Sequence, residues 1–162
     1  MPGSHATTPD ASTTLVVGYD GSAEAHTALE LAAHVAGPLG KVYVVVCFDA
    51  PPDWQGLQSQ NAAAAESEAH ALVAGLEADA VPALQNARWE VEMLAGPPAD
   101  AILRVAEVRD ADEIFIGSRG RGRAGSVLGS VSHDLLHRTD RPVRVITARA
   151  AERLTRMPAP AP

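Results

Sequence analysis

One segment, residues 113–132, constrains the fold more than any other part of the chain, because it changes from strand-like to loop-like to helix-like over a short stretch. It reads EIFIGSRGRGRAGSVLGSVS, with an apolar run at 114–116, a glycine-rich loop, and a helix-like segment that begins near Ser130. Glycines let backbone N–H groups approach a ligand closely, and the first turn of a helix offers unpaired N–H donors with a partial positive charge. The pattern predicts a site for an anion, and phosphate is the favoured one.

Arginines alternate with the glycines of this loop, at Arg119, Arg121 and Arg123. Guanidinium groups match the oxygens of phosphate in geometry and charge. A solvated loop would carry the same residues, so a phosphate clamp and a solvated loop both stay open as interpretations.

Strand-like and helix-like segments alternate through the rest of the chain. Apolar β-branched runs and alternating patterns predict further strands at residues 13–19, 41–48, 88–94 and 143–148, of which 88–94 has the pattern of an edge strand. Apolar residues at helical spacing predict helices between the strands, including one from about 129 to 138. This order predicts an α/β fold of the Rossmann-like type, with an open parallel five-stranded sheet and helices on both faces.

The domain organisation follows from these segments. Residues 1–12 are small and polar and are expected to form a disordered lead-in, residues 13–148 form one domain, and residues 149–162 are expected to form a flexible tail that ends MPAPAP. Ser22 is predicted to cap the first helix, and the Gly37-Pro38 pair to end it.

Ligands of parallel sheets bind beyond the carboxyl ends of the strands, near the point where the strand order reverses. The loops after Tyr19 and Val46 and the glycine-rich loop are all at carboxyl ends, so we expect them to meet at one cleft. Asp20 follows the first strand, where it is interpreted as a ligand contact, a catalytic base or a turn former. Cys47 is interpreted as an inert core residue, with a redox sensor as the alternative.

Composition and charge limit the function further. Cys47 is the single cysteine, and the chain has neither a signal-peptide pattern nor an apolar run long enough for a membrane, so we expect a cytoplasmic protein with no membrane contact. The net charge is −7, and aromatic residues make up 4%. The arginines gather around one glycine-rich loop, which indicates a small anionic ligand and no nucleic acid.

Three other motifs have weaker support. Residues 120–125 read GxGxxG, but Gly129 interrupts the following helix and Asp140 comes before the next strand, where a dinucleotide site needs an acid after it. A Walker motif needs a lysine in the loop, and the only lysine is Lys41. Residues 133–137, HDLLH, resemble a zinc-protease motif with aspartate in place of glutamate, and surface histidines are the favoured interpretation.

The chain resembles the universal stress proteins of the UspA type, in their nucleotide-binding branch. The resemblance spans roughly residues 13–148 and is carried by 17–22 (VGYDGS), 46–49 (VCFD), 116–120 (IGSRG), 128–132 (LGSVS) and 141–143 (RPV). That branch is marked by Gly, two residues, Gly, nine residues, and Gly followed by Ser or Thr. Gly117, Gly120, Gly129 and Ser130 fit this pattern, except that eight residues stand between Gly120 and Gly129.

The resemblance implies a binding site for ATP, with any Mg²⁺ held mainly by the nucleotide's phosphates. It places adenosine beside Gly18 and Asp20, with the backbone of Cys47 at the adenine edge. It places Ile116 and Gly117 along the ribose and first phosphate. Around the phosphates it places Gly120, Gly129, Ser130, Val131 and Ser132, with two hydroxyls among the contacts. It also implies a homodimer formed through the last strand, residues 143–148.

Three functions are compatible with these residues. The first is an ATP-binding stress or regulatory sensor. The second is a scaffold of the same fold that acts through protein partners without nucleotide, because the glycine-rich loop is one residue short. The third, a slow ATPase, ranks last because the sequence offers no clear general base or lysine clamp. We assign no catalytic residues and no metal ligands from the sequence.

Overall fold

Strands and helices alternate along the chain in the computed structural model, which describes residues 12–48, 60–78, 84–85, 87–119 and 128–156. The strands in these ranges are β1 (Thr14–Gly18), β2 (Lys41–Phe48), β3 (Arg88–Ala95), β4 (Glu113–Gly117) and β5 (Val143–Ile146). The helices are α1 (Ala23–Ala36), α2 (Gln60–Ala78), α3 (Pro98–Val108), α4 (Ser130–Arg138) and α5 (Ala148–Thr155). All the strands predicted from the sequence are present, and β2 has the predicted bounds.

The five strands form one parallel sheet in the order β3-β2-β1-β4-β5. The chain runs outward from β1 to β3 and then returns to place β4 on the other side of β1. The strand order therefore reverses between β1 and β4, and a crevice forms beyond the carboxyl ends of these two strands. The predicted open parallel sheet is confirmed, and so is the edge position of β3.

Helices cover both faces of the sheet. Side chains of α1, α2 and α5 pack with Leu15, Val17 and Phe115 on one face, whereas those of α3 and α4 pack with Val16 and Ile114 on the other. The central strands β1 and β4 are buried on both faces, which explains their nearly unbroken apolar sequences.

Local capping explains where α1 begins and ends. The Ser22 side chain accepts a hydrogen bond from the backbone N–H of Ala25 at 3.2 Å, as expected for an N-cap serine. Gly37 ends the helix in a backbone conformation with φ of +58°, which residues with a Cβ rarely adopt. Both helix signals predicted from the sequence are confirmed. The structure shows no helix, within the residues it describes, that has the length and hydrophobicity of a membrane span.

The C-terminal segment differs from the sequence prediction. The last strand ends at Ile146 and does not continue to residue 148, because the Thr147 side chain accepts a hydrogen bond from the Ala150 N–H at 3.2 Å and starts α5. Ala151 is only 7% exposed and belongs to the core on the α1 side of the sheet. The expectation of a flexible tail from residue 149 is therefore wrong for residues 149–156, whereas 157–162 lie outside the described residues. Residues 1–11 of the predicted lead-in lie outside them too.

The packing of α5 predicts that Ala151→Arg lowers the free energy of unfolding by about 1–3 kcal/mol, because a long side chain does not fit where Ala151 meets the core. Urea unfolding followed by circular dichroism measures the change. Glu152→Arg, at the exposed neighbouring position, is the matched control and should change stability by less than about 0.5 kcal/mol. Equal stability of the two variants would show that residues 148–155 do not pack on the domain.

Candidate functional site

A cavity of about 270 Å³ lies at the carboxyl ends of β1, β2 and β4, where the strand order reverses. Its walls come from these three strands, the loop before α1, and the first turns of α3 and α4. Every predicted site residue that the structure describes lines this cavity: Gly18, Asp20, Cys47, Ile116, Gly117, Gly129, Ser130, Val131 and Ser132. Gly120, the remaining one, lies outside the described residues, as do Arg121 and Arg123.

The end of β1 forms the floor of the cavity. A Cβ on Gly18 would lie 2.7 Å from the Cδ1 of Ile102 in α3, so only hydrogen fits there without moving that side chain. Asp20 is half-buried, and its Oδ1 accepts a hydrogen bond from the Ser22 N–H at 2.9 Å. Asp20 is thus a turn former that directs the chain into α1, and it also lines the cavity.

β2 contributes Val45 and Cys47 to the wall. The Val45 carbonyl accepts a hydrogen bond from the Tyr19 N–H at 2.9 Å, just beyond the end of β1. The backbone of Cys47, two residues further along, faces the same side of β2, where β1 has ended. Burial raises the pKa of the Cys47 thiol from 9.0 to about 11, while the positive charge of Arg104 acts in the opposite direction. The thiol is therefore protonated at neutral pH, which favours the interpretation as an inert residue.

A pair of hydrogen bonds, here called the clasp, joins the two ends of the glycine-rich loop. The Gly129 N–H donates to the Ser118 carbonyl at 2.7 Å, and the Ser132 hydroxyl donates to the Gly117 carbonyl at 3.0 Å. The Ser118 N–H in turn donates to the carbonyl of Ile146 in β5 at 2.7 Å. The start of α4 is thus tied to the end of β4 independently of the residues in between.

The clasp corrects one detail of the sequence prediction. The resemblance implies that the Ser132 hydroxyl contacts the phosphates, but Ser132 is only 1% exposed and its hydroxyl donates to the Gly117 carbonyl. Ser130, the other serine of this turn, also lines the cavity.

The N-terminus of α4 faces the cavity without a side-chain cap. Gly129 is the N-cap residue and makes no side-chain hydrogen bond, and the first helical bond runs from the His133 N–H to the Gly129 carbonyl. The N–H groups of Ser130, Val131 and Ser132 precede that bond, so the helix leaves them for other acceptors. The first turn holds no acidic residue, and the helix dipole adds positive potential there. Helix N-termini with these features are suited to anions.

The N-terminus of α1, on the other side of β4, has a side-chain cap and an acidic residue, unlike that of α4. Ser22 caps it, and Glu24 lies in its first turn. The Nη2 of Arg119 lies 3.3 Å from the Oε1 of Glu24, and both side chains are mostly buried. Arg119 also lines the cavity. The sequence did not indicate Glu24 as a site residue, because 95 positions separate it from Arg119 and only the fold brings them together.

Apolar wall residues were missed for a similar reason. Ile102 and Pro98 of α3 and Ala25 of α1 line the cavity, together with Val45. Their sequence pattern indicated only the buried side of a helix or strand. Apolar periodicity shows that a face is buried, but it does not show whether that face contacts other protein residues or lines a cavity.

The histidine motif on α4 forms no larger cluster. The rings of His133 and His137 lie 4.4 Å apart between centroids on an exposed face of the helix. Among the residues that the structure describes, no three histidine, cysteine, aspartate or glutamate side chains are grouped to hold a metal ion. The GxGxxG sequence at 120–125 lies outside them.

The sheet order and the cavity define a class: an α/β protein with a cleft at the reversal of strand order and a helix N-terminus without a side-chain cap in its wall. Comparison with known proteins gives the family. Residues 12–147 match the model of the universal stress protein family, and the chain belongs to that family.

Individual relatives agree with this assignment. The chain is 33% identical to a universal stress protein of Thermus aquaticus, encoded in the QAH/OAS sulfhydrylase 3' region, over 82% of this chain and 97% of the relative. The universal stress protein UspA of Lactobacillus plantarum has the same fold, with a TM-score of 0.68 at 22% identity over 83% of this chain and 97% of that one. The universal stress protein of Archaeoglobus fulgidus in complex with dAMP is 27% identical, with a TM-score of 0.59 over 83% of this chain and 97% of that one.

The raised pKa of Cys47 predicts slow alkylation of the folded protein. A rise of two pKa units reduces the thiolate at neutral pH about 100-fold, so iodoacetamide should label the folded chain about 100-fold more slowly than the urea-unfolded chain. Labelling of the folded protein should accelerate about tenfold per pH unit up to about pH 11. Mass spectrometry of timed samples measures both rates.

The raised pKa of Cys47 also makes the free energy of unfolding depend on pH. Folding favours the protonated thiol, so the stabilising contribution is complete below pH 9 and is lost as the pH rises through about 11. Equal labelling rates for folded and unfolded protein would contradict the buried position of the Cys47 thiol.

Proposed function

We propose that this chain binds ATP in the cavity and acts as a nucleotide-dependent stress or regulatory sensor. The observation that carries the proposal is the uncapped first turn of α4, whose backbone N–H groups face a cavity with Asp20 in its wall. The Archaeoglobus fulgidus relative in complex with dAMP supports an adenine nucleotide as the ligand class.

The lining residues suggest how the nucleotide would lie. The phosphates would accept hydrogen bonds from the N–H groups of Ser130, Val131 and Ser132, with Gly117 alongside. Asp20 would accept hydrogen bonds from ribose or adenine. The adenine ring would lie against Val45, the backbone of Cys47 and Ile102. Mg²⁺ would be held mainly by phosphate oxygens.

The clasp explains why an eight-residue spacing is compatible with this function. Gly129 is held by the Ser118 carbonyl, and Ser132 by the Gly117 carbonyl, so both ends of the loop are fixed by hydrogen bonds outside the shortened part. A deletion between them changes the path of the loop and leaves the N–H groups of α4 in place. The fixed ends of the loop favour a sensor over a scaffold that has lost nucleotide binding.

A regulatory role fits the cavity better than a catalytic one. Its described polar groups include the backbone N–H donors at the start of α4, which bind phosphate without moving protons. The Cys47 thiol has a raised pKa and is a poor nucleophile at neutral pH. Asp20 already accepts a hydrogen bond within its own turn.

We further propose that the protein works in the cytoplasm as a homodimer that pairs at β5. β5 is at the edge of the sheet, with β4 as its neighbour on the inner side. An edge strand offers backbone groups to a second copy. Dimers should be visible by light scattering at micromolar concentration, and Val145→Pro, which removes a backbone donor from β5, should shift the population toward monomer.

Calorimetric titration of nucleotide-stripped protein with Mg-ATP tests the nucleotide proposal, with Gly129→Arg as the variant that obstructs the site. A Cβ at Gly129 would already lie 3.3 Å from the Ser118 carbonyl oxygen, so a larger side chain must project over the α4 N-terminus or break the clasp. We expect a loss of ATP affinity of at least about 100-fold, in the range of losing several charge-assisted hydrogen bonds.

Gly75→Arg is the matched control, because a Cβ there meets nothing within 4 Å and the substitution adds the same charge. It should bind ATP like the unmodified protein. Absence of ATP binding at millimolar concentration, or equal binding by the two variants, would contradict the proposed site.

A further inference from the structure

The ion pair between Arg119 and Glu24 is the feature of the cavity that the proposed function leaves unexplained. Arg119 lies at the start of the glycine-rich loop and lines the cavity, whereas Glu24 lies in the first turn of α1. Their side chains are 23% and 14% exposed, and Nη2 lies 3.3 Å from Oε1. Charges that are this shielded from water interact more strongly than a surface pair.

The backbone of Arg119 lies close to the first turn of α4. A Cβ built on Gly129 would lie 3.6 Å from the Cα of Arg119, so the arginine backbone is directly beside the helix N-terminus. An extended arginine side chain is longer than this separation, and its guanidinium group can reach an anion bound by the N–H groups of residues 130–132.

Glu24 is held in place by the packing of β4 against α1. A Cβ built on Gly117 would lie 3.0 Å from the Glu24 Cβ and 3.1 Å from the Ala25 nitrogen, so the two backbones are in close contact. The Glu24 Cβ is therefore fixed beside the end of β4, and its carboxylate lies within 3.3 Å of the Arg119 guanidinium. A phosphate group that binds nearby has to compete with this negative charge for Arg119.

We propose that Glu24 sets the phosphate selectivity of the cavity by competing with bound phosphate for Arg119. The inference rests on the proposed nucleotide site and deepens it. A triphosphate extends further from the nucleoside than a monophosphate and makes more use of Arg119, whereas a nucleoside without phosphate does not compete with the carboxylate at all. Glu24 thus lowers the affinity for phosphorylated ligands and lowers it most for those that depend on Arg119.

A purely structural role for the pair makes a different prediction. If the ion pair only tied α1 to the end of β4, removing the Glu24 charge would lower stability and leave ligand affinity unchanged. Competition predicts a change of opposite kind, a gain in ligand affinity when the Glu24 charge is removed. The two roles are therefore separated by a titration accompanied by urea unfolding of the same variants.

The experiment compares Glu24→Gln with Glu30→Gln, which removes the same charge from an exposed position of the same helix. Each protein is titrated calorimetrically with adenosine, AMP, ATP and inorganic tripolyphosphate. Glu24→Gln should raise the affinity for ATP and tripolyphosphate roughly three- to tenfold, raise that for AMP less, and leave that for adenosine unchanged. Glu30→Gln should match the unmodified protein for all four ligands.

Arg119→Gln completes a double-mutant cycle. It should weaken ATP binding, and Glu24→Gln should give no gain when Arg119 is already replaced, because Glu24 acts through the guanidinium. If Arg119→Gln does not fold, the comparison of Glu24→Gln with Glu30→Gln is sufficient on its own, since it already separates competition from a structural tie.

Several results would overturn the inference: ATP affinity unchanged in Glu24→Gln, an equal gain for adenosine, or a gain that persists without Arg119. If the unmodified protein binds ATP and Glu24→Gln shows no gain, the inference fails and the nucleotide site stands. If only Glu24→Gln binds ATP, the inference stands and the proposed function of the natural chain fails. If neither the unmodified protein nor Glu24→Gln binds ATP, both the inference and the proposed function fail.

Discussion

The clasp between the end of β4 and the start of α4 is the interaction on which the cavity depends. Two carbonyl groups at the end of the strand, those of Gly117 and Ser118, accept the Ser132 hydroxyl and the Gly129 N–H. The Ser118 N–H also donates a hydrogen bond to Ile146 in β5. The sheet, and not the glycine-rich loop, therefore fixes the position of the first turn of α4. Without these bonds the unpaired N–H groups of α4 would have no fixed position beside Asp20. Gly129 makes this possible because it fits close to Ser118 and provides no side chain to cap the helix.

The two helix N-termini that border the end of β4 differ in their electrostatic environment. In α1, Ser22 and Glu24 occupy the first turn, so its positive potential is already balanced. In α4 no side chain does this, and an anion is the natural partner. Arg119 adds a positive charge near both N-termini, and its guanidinium forms an ion pair with Glu24. The cavity thus combines fixed backbone donors with one arginine whose availability depends on its neighbour.

Much of the fold could be predicted from local sequence, because buried parallel strands have unbroken apolar runs and helix ends have capping residues. The bounds of β2 and the cap at Ser22 follow directly from such signals. α5 was missed because its packing depends on a surface of α1 that only the folded chain provides for Ala151. The same reason applies to the site. The glycine-rich loop indicated where the site lies, and the resemblance to universal stress proteins supplied the individual residues that line the cavity. The partners of Ser132 and Arg119 are set by tertiary packing and have no signature in a single sequence.

The central claim is that the N–H groups at the start of α4 receive the phosphates of a nucleotide. Amide chemical shifts of ¹⁵N-labelled protein during titration with ATP and, separately, with adenosine test it most directly. The account predicts that the Ser130, Val131 and Ser132 amides shift with ATP and much less with adenosine, while resonances near Ile102 and Cys47 respond to both. Shifts at Ile102 and Cys47 without any change at residues 130–132 would contradict it.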